Sequence, residues 1–469
     1  MAGSKNILLV NPWIYDFTAY DFWMKPLGLL YMAALLEASP AFRLSFIDCL
    51  DRSHPGLAKP AKLKPDGRGP YPREAVAKPA LLRHVPRRYS RYGIPVALFR
   101  AALADVPRPD AVLVTCTMTY WYPGVQAVVE LVRERFGSVP VILGGIYATL
   151  CRSHAAAYSG ADVVVAGPGE ESLFSVLRDV LGDAIPRAPG PGSGLGSLPR
   201  PAFGRLRDRS WLPVLTSRGC PFRCAFCASH LLAGEFEQRP PASVADEIEA
   251  HHARFGTRHF AFYDDALLVN KVQHIVPLLE RVAAAALPVR FHTPNGLHVR
   301  EIDAPTARLL RRSGVASLYL SLESADASVL RTKAPKATPE DLLAALNALE
   351  EAGYERRGIG VYLIMGLPGQ SAGSVGESIR FVRELGAAPR VAFFSPIPGT
   401  PEWDALASAG VVSDGTDPLL HNKLAFAYLK GDIPPGEFEG VRKLLAELCS
   451  FRGEDPGTAP VPLRSPRAG

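Results

Sequence analysis

Through the first 183 residues, short apolar β-branched runs alternate with stretches of helical periodicity, the pattern a doubly wound parallel sheet requires. Asn6–Val10, Arg43–Asp48, Asp110–Thr115, Val139–Leu143 and Asp162–Ala166 are predicted strands, and Leu27–Ala38, Gly124–Phe136 and Glu170–Leu181 are predicted helices. Several of these strands end in small or polar residues: Asn11, Thr115-Cys116-Thr117, Gly144-Gly145 and Gly167-Pro168-Gly169-Glu170. Open parallel sheets bind ligands at the carboxyl ends of their strands, and glycines there let a large ligand approach the backbone. A cofactor-sized ligand is therefore expected at these ends.

A second β/α series begins after residue 210. Its predicted strands are Pro213–Ser217, His259–Tyr263, Val289–Thr293, Ser317–Leu322, Gly360–Met365 and Val391–Ser395, separated by helical patterns such as Ser243–Phe255 and Pro339–Ala352. Six repeats suit a partial (β/α)6 barrel, about three quarters of the closed eightfold form. The expected fold is thus α/β: an N-terminal doubly wound, Rossmann-like domain over residues 1–183, a Pro/Gly-rich linker over 184–210, the barrel over 211–403, and a short helical C-terminal region over 404–469. That last region contains the amphipathic stretch Gly436–Phe451 and a tail, Arg452–Gly469, whose composition is that of disorder.

Composition changes the picture in one place. The net charge of +6 is not spread evenly, because residues 51–108 carry 13 Lys/Arg against 4 Asp/Glu. The stretch is also Pro-rich and interrupts the first β/α series, so it reads as a solvated basic insertion, with RNA, an acidic protein or a phosphorylated ligand as the other partners its charge would suit. No apolar run reaches the ~18 residues of a membrane span. Seven cysteines do not make a disulfide framework. A cytoplasmic location is expected.

Three of those cysteines carry the chemistry. Cys220, Cys224 and Cys227 fall in Gly219-Cys220-Pro221-Phe222-Arg223-Cys224-Ala225-Phe226-Cys227. Thiolates spaced this closely can hold three irons of a 4Fe-4S cube and leave the fourth iron open. Zinc is the rival, with His230 as the fourth ligand of a Cys3His site.

The motif resembles that of the radical S-adenosylmethionine (SAM) enzymes, with Phe226 at its aromatic position. The resemblance implies that SAM binds the open iron and is reductively cleaved to a 5′-deoxyadenosyl radical, with electrons from a flavodoxin- or ferredoxin-type donor. It assigns SAM contacts to the strand ends: Asp264 in Tyr263-Asp264-Asp265, Asn295 in Thr293-Pro294-Asn295-Gly296, Ser321 and Glu323 in Ser321-Leu322-Glu323-Ser324, Gly366 and Gly369 in Met365-Gly366-Leu367-Pro368-Gly369, and Pro396 in the loop after the sixth strand.

The first domain in turn resembles the cobalamin-binding domain that precedes the barrel in one large subfamily. The likeness rests on Leu8-Leu9-Val10-Asn11-Pro12, Pro26 to Ala33, Gly144 to Thr149 and Ala166 to Glu171. It implies cobalamin contacts at Asn11, Thr115, Thr117, Gly144, Gly145, Gly167, Gly169 and Glu170. No D-x-H-x-x-G motif supplies a lower axial histidine, and a degenerate Rossmann domain without cobalamin is the alternative. Tyr120-Trp121-Tyr122 would lie either on the corrin face or in the core. The implied reaction is methylation of an unactivated carbon on an unknown small or lipid-like substrate. Cyclisation or rearrangement without methyl transfer is the runner-up. A tRNA-modifying enzyme would need a second cluster, for which Cys49, Cys116 and Cys151 are the candidates, and a corrinoid or iron–sulfur carrier would bind cofactors without SAM cleavage. No nucleic-acid partner is expected.

Overall fold

The computed structural model describes residues 4–60, 62–183, 185, 194–430 and 434–449. In the N-terminal domain, strands β1 (Lys5–Asn11), β2 (Phe42–Asp48), β3 (Ala111–Cys116), β4 (Val141–Gly145) and β5 (Val163–Val164) form one parallel sheet in the order β5-β4-β3-β1-β2. Leu8, Leu9 and Val10 of β1 are fully buried, as a central strand covered on both faces requires. Helices Leu27–Glu37 and Gly169–Leu181 share one face of the sheet, where Leu29, Ala33, Leu173, Phe174 and Leu177 meet Ile7, Leu9, Leu113 and Ile142. The strand order reverses between β1 and β3, the kind of position at which open parallel sheets bind ligands at their carboxyl ends.

The second series builds an arc of six parallel strands: β6 (Trp211–Val214), β7 (His259–Phe262), β8 (Arg290–His292), β9 (Val315–Ser317 continuing as Tyr319–Glu323), β10 (Gly360–Met365) and β11 (Ala388–Phe393). The fourth strand breaks at Leu318: its first half pairs with β8 and its second with β10, which turns the sheet into a partial barrel. Helices between the strands are set by local signals. Thr338 closes a capping box with Asp341 at the start of Pro339–Glu351, and Gly256 in the left-handed region ends Pro241–Phe255.

Residues 51–108 do not form a solvated insertion. Ser90–Tyr92 and Arg73–Ala75 extend a three-stranded antiparallel sheet from Ile14–Asp16, and Val96–Asp105 is the crossover helix between β2 and β3. Tyr71, Leu82, Val85, Tyr89, Tyr92 and Phe99 are buried, so the stretch carries core that its Pro and Arg content conceals. Its charges are also used internally. Arg52, 2% exposed at its side chain, pairs with Asp21 at 2.6 Å and with Asp208 of the linker at 3.6 Å. Arg68 lies over Trp23, which in turn stacks on His292 of the barrel at 4.2 Å. The segment thereby ties the two domains together. Of the predicted linker, residues 184 and 186–193 lie outside the described residues, as does the predicted tail Arg452–Gly469. The predicted C-terminal helix spans Pro435–Cys449.

Candidate functional site

The cysteine loop is a closed structure. Ser217–Arg218 pairs antiparallel with Glu237–Gln238, so the chain between them is clamped at its base. Gly219 has φ +80°, a conformation few side chains tolerate, and turns the chain into the loop. Within it, Cys227 N donates to Cys224 O at 3.1 Å, Ala225 N to Lys333 O at 2.8 Å, and Glu402 N to Ala225 O at 3.1 Å. Cys224 is buried, while Cys220 and Cys227 are half-buried. Burial pushes the Cys224 thiol up to about 11, so ligation to a metal is what would keep it deprotonated. Among the described residues, no three His, Cys, Asp or Glu side chains gather tightly enough to hold a single metal ion. Three soft donors on one clamped loop fit an iron–sulfur cube. Phe226 packs between the cluster loop and the apolar group of Leu367, Phe394 and Trp403 at the ends of β10 and β11.

The strand-end residues converge on the same end of the barrel, in different ways. Glu323 closes β9 with φ +73°, an uncommon conformation for a residue with a side chain and one that concentrates at functional sites. Its carboxylate pairs with Lys336 Nζ at 2.8 Å, with both side chains largely buried. Burial works against the Lys336 ammonium, but Glu323 and the nearby thiols of Cys224 and Cys227 outweigh it and raise its pKa. Lys336 thus places a fixed positive charge between the cysteines and Glu323. Ser321 packs against Gly296, where a Cβ would come within 2.4 Å of its Oγ. Gly366 and Gly369 both have positive φ, and Gln370 braces the turn by accepting from Gly366 N at 2.9 Å and donating to Ile364 O at 3.0 Å. Pro396 is buried beside Ser395, whose hydroxyl donates to His421 O.

Two of the predicted SAM residues are engaged by the protein itself. Asp264 is buried and accepts from Thr216 Oγ1 and Ser217 Oγ, both at 2.6 Å, so its carboxylate fixes the base of the cysteine loop. Burial raises its pKa to about 6 against the lowering pull of those hydrogen bonds. Asn295 turns its amide onto Tyr263 O at 2.9 Å and Asp264 O at 3.3 Å.

In the first domain a cavity of about 240 Å³ opens at the carboxyl ends of β3, β4 and β5. Thr115, Gly144, Gly145, Gly167, Gly169 and Glu170 line it. Cβ atoms at Gly28 and Gly167 would stand with no atom within 4 Å, so these glycines keep a cradle open for a bulky ligand. Gly145, with φ +93°, has no such room, because a Cβ there would meet Cys116 O at 2.7 Å. Thr149 joins the two glycine turns, accepting from Gly167 N at 3.0 Å and donating to Gly145 O at 2.9 Å. Apolar side chains from the helices and the sheet below complete a site suited to a large, partly apolar cofactor, and cobalamin fits that description.

Asn11 and Thr117 do not line this cavity. Asn11 instead donates to Asp48 Oδ1 at 2.7 Å across β1 and β2. Tyr120, Trp121 and Tyr122 are packing residues: Tyr122 stacks on Tyr147 and bonds Asp417, and Trp121 Nε1 donates to Asp16 at 2.8 Å. Cys49 and Cys116 are buried thiols, Cys151 is half-buried, and burial pushes Cys116 up to about 12.

Sequence reasoning missed three residues here. Lys336 sits in a loop with no motif. Arg218 and Leu232, on either side of the cysteines, line the cavity of the other domain. Arg218 pairs there with Glu170.

Comparisons with known proteins agree with this arrangement. A model of the radical SAM superfamily matches residues 214–382, and a model of the B12 binding domain matches residues 93–177. An uncharacterized methyltransferase from Pyrococcus horikoshii is 24% identical over 63% of this chain and 69% of its own. The anaerobic magnesium-protoporphyrin IX monomethyl ester cyclase of Cereibacter sphaeroides is 23% identical over 73% of this chain, which spans 61% of that relative. Among solved structures, the radical SAM methyltransferase TsrM from Kitasatospora setae, with cobalamin and a [4Fe-4S] cluster bound, superposes with a TM-score of 0.66 at 18% identity, over 96% of this chain and 91% of that one. At that identity the likeness establishes the fold.

Proposed function

Because the chain belongs to the radical SAM enzymes that carry a B12-binding domain, we propose that it methylates an unactivated carbon of its substrate. When bound, the cluster and SAM supply a 5′-deoxyadenosyl radical for hydrogen abstraction, and methylcobalamin supplies the methyl group. One observation carries the reading: the cavity at the strand ends of the first domain is lined in part by Arg218 and Leu232, which flank the cysteine loop of the second. On this reading the two cofactor sites are neighbours.

The residues around them divide the work. Cys220, Cys224 and Cys227 hold the cluster. Glu323 and Lys336 present a negative and a positive group side by side, the complement of the ammonium and carboxylate of SAM. Gly366 and Gly369, which carry no side chain, and Pro396 offer a flat apolar wall where an adenine can lie. Thr115, Gly144, Gly145, Gly167 and Gly169 line the cavity assigned to the corrinoid, with no bulky side chain on the glycine turns. Phe226 and the Leu367–Trp403 group keep water from the space behind the cluster, where a carbon radical needs protection. A flavodoxin- or ferredoxin-type donor supplies the electron. Among the described residues, no helix is long and apolar enough to cross a membrane.

The Cereibacter relative favours a second reading, ring closure without methyl transfer. Anaerobic reconstitution with cobalamin, SAM and dithionite, followed by mass analysis of products from candidate extracts, separates the two. A product heavier by one methylene together with S-adenosylhomocysteine supports methylation. 5′-Deoxyadenosine without S-adenosylhomocysteine supports cyclisation. Absence of any SAM cleavage overturns both.

A further inference from the structure

The charged pair on the strand-end cavity has no role in holding the cluster or SAM. Among the described residues, Arg218 and Glu170 are the only charged ones lining that cavity, and they pair across the two domains. The rest of the lining falls into two zones. Leu29, Met32, Leu113, Ile142, Leu173 and Leu177 make an apolar throat between the sheet and its two helices, and the glycine turns with Thr115, Glu170 and Arg218 make a polar mouth. A volume of about 240 Å³ is below the roughly 300–1,000 Å³ of a site that encloses a drug-sized ligand. The throat therefore takes a part of a corrinoid and not its macrocycle.

Corrinoid chemistry says which part. The macrocycle carries neutral amides, whereas the nucleotide tail of a complete corrinoid ends in a flat heterocyclic base and contains a single anion, its phosphodiester. A flat base suits the apolar throat, and a phosphodiester suits a cation at the mouth. Helix Gly169–Leu181 begins at that mouth without a side-chain cap, so the N–H groups of its first turn add to the positive field there. Glu171 in the same turn is solvent-exposed, and Glu170 is already paired.

Resting on the cobalamin reading, we propose that Arg218 is the phosphodiester-binding residue for the nucleotide tail of the corrinoid, and so a determinant of selectivity for complete over tail-less corrinoids. A guanidinium has five donors in a rigid fork. Glu170 occupies one side and fixes the side chain, and the other side is left to the phosphate oxygens. Because Arg218 also forms the clamp with Glu237 at the base of the cysteine loop, the tail is read by the domain that holds the cluster.

The test compares hydroxocobalamin with cobinamide, which lacks the nucleotide tail, by anaerobic titration of the full-length, cluster-reconstituted protein followed in the visible spectrum. The wild type should prefer hydroxocobalamin. Arg218→Gln should lose about tenfold to a hundredfold in affinity for hydroxocobalamin while its affinity for cobinamide stays within about twofold, and Arg218→Lys should recover part of the loss. Equal losses for both corrinoids, or none, overturn the role of Arg218. Failure of the wild type to bind either corrinoid overturns the cobalamin reading itself. Should Arg218→Gln assemble less iron than the wild type, Glu170→Gln, which releases the guanidinium without touching the cysteine loop, must show the same selective loss in smaller measure; its absence overturns the proposal.

Discussion

Removing the charge of Glu323 tests the SAM site most directly. The Glu323 carboxylate lies 2.8 Å from Lys336 Nζ, with side-chain exposures of 9% and 17%. A charge-assisted hydrogen bond in such surroundings contributes about 1.5–3 kcal/mol, so Glu323→Gln should weaken SAM binding roughly 10- to 150-fold. Lys336→Met should do the same through the SAM carboxylate. It should also lower the midpoint potential of the cluster by on the order of 50 mV, because a cation at an effective dielectric of about 20 stabilises the more negative reduced state by about 1–2 kcal/mol. Each single variant leaves one buried charge unpaired, which costs about 3–5 kcal/mol of stability. The double variant leaves none, so it should recover much of that stability. SAM affinity should not recover with it. Equilibrium binding of SAM to the anaerobic, reconstituted proteins, alongside denaturant unfolding of the same samples, separates the two quantities. The reasoning is refuted if the double variant regains affinity together with stability, since the pair would then be scaffold only, or if neither single variant binds SAM less tightly.

Three further outcomes follow from the geometry. Cys224→Ala should abolish cluster assembly while the first domain still takes up corrinoid, and wild-type iron content with an unchanged visible spectrum in that variant would dismiss the assignment. Gly145→Ala, whose Cβ would meet Cys116 O at 2.7 Å in a backbone with φ +93°, should lower corrinoid affinity at least tenfold with iron content intact; equal affinity would remove the glycine turn from the site. The Asp264 carboxyl, raised by burial to about 6, is easier to protonate in the folded chain than in the unfolded one. Its contribution is therefore complete below about pH 4 and lost as pH rises through about 6, by on the order of 3 kcal/mol. Asp264→Asn should flatten that part of the stability profile measured by denaturant unfolding at stepped pH, and parallel profiles would count against the assignment.

What could be read from the sequence was whatever is encoded within a few neighbouring positions. The proposed cluster ligands are three thiols in one loop, so their spacing alone carries the proposal. The strand-end glycines announce themselves because positive φ and missing side chains are demands of the local backbone. Residues whose role depends on where a side chain is directed were less legible. Asn11 does end β1, but its amide faces Asp48 on the neighbouring strand, a choice set by strand alternation and sheet order that a single strand does not reveal. Asp264 does follow β7, yet the hydroxyls of Thr216 and Ser217, brought alongside by the parallel pairing of β6 with β7, claim its carboxylate.

Composition misled for a related reason. Pro and Arg in residues 51–108 suggest a solvated segment because an isolated charge is costly to bury, and the sequence does not show that Asp21 and Asp208 lie within reach of Arg52. Once the chain is folded, that ion pair and the Arg68–Trp23–His292 stack fix the first domain against the barrel. This docking matters for the chemistry proposed. A radical generated at one cofactor can be captured at another only if the two sites hold a fixed separation, because misplacement by about 1 Å can cost on the order of a hundredfold in rate. Of the residues that set the separation, Arg52, Arg68 and Trp23 belong to no cofactor motif, while the Arg218–Glu170 pair stands on the cavity of the first domain itself. They are contacts between segments far apart in the chain, and the mutual placement of the two proposed sites depends on them as much as on the cysteines and glycines assigned to the cofactors.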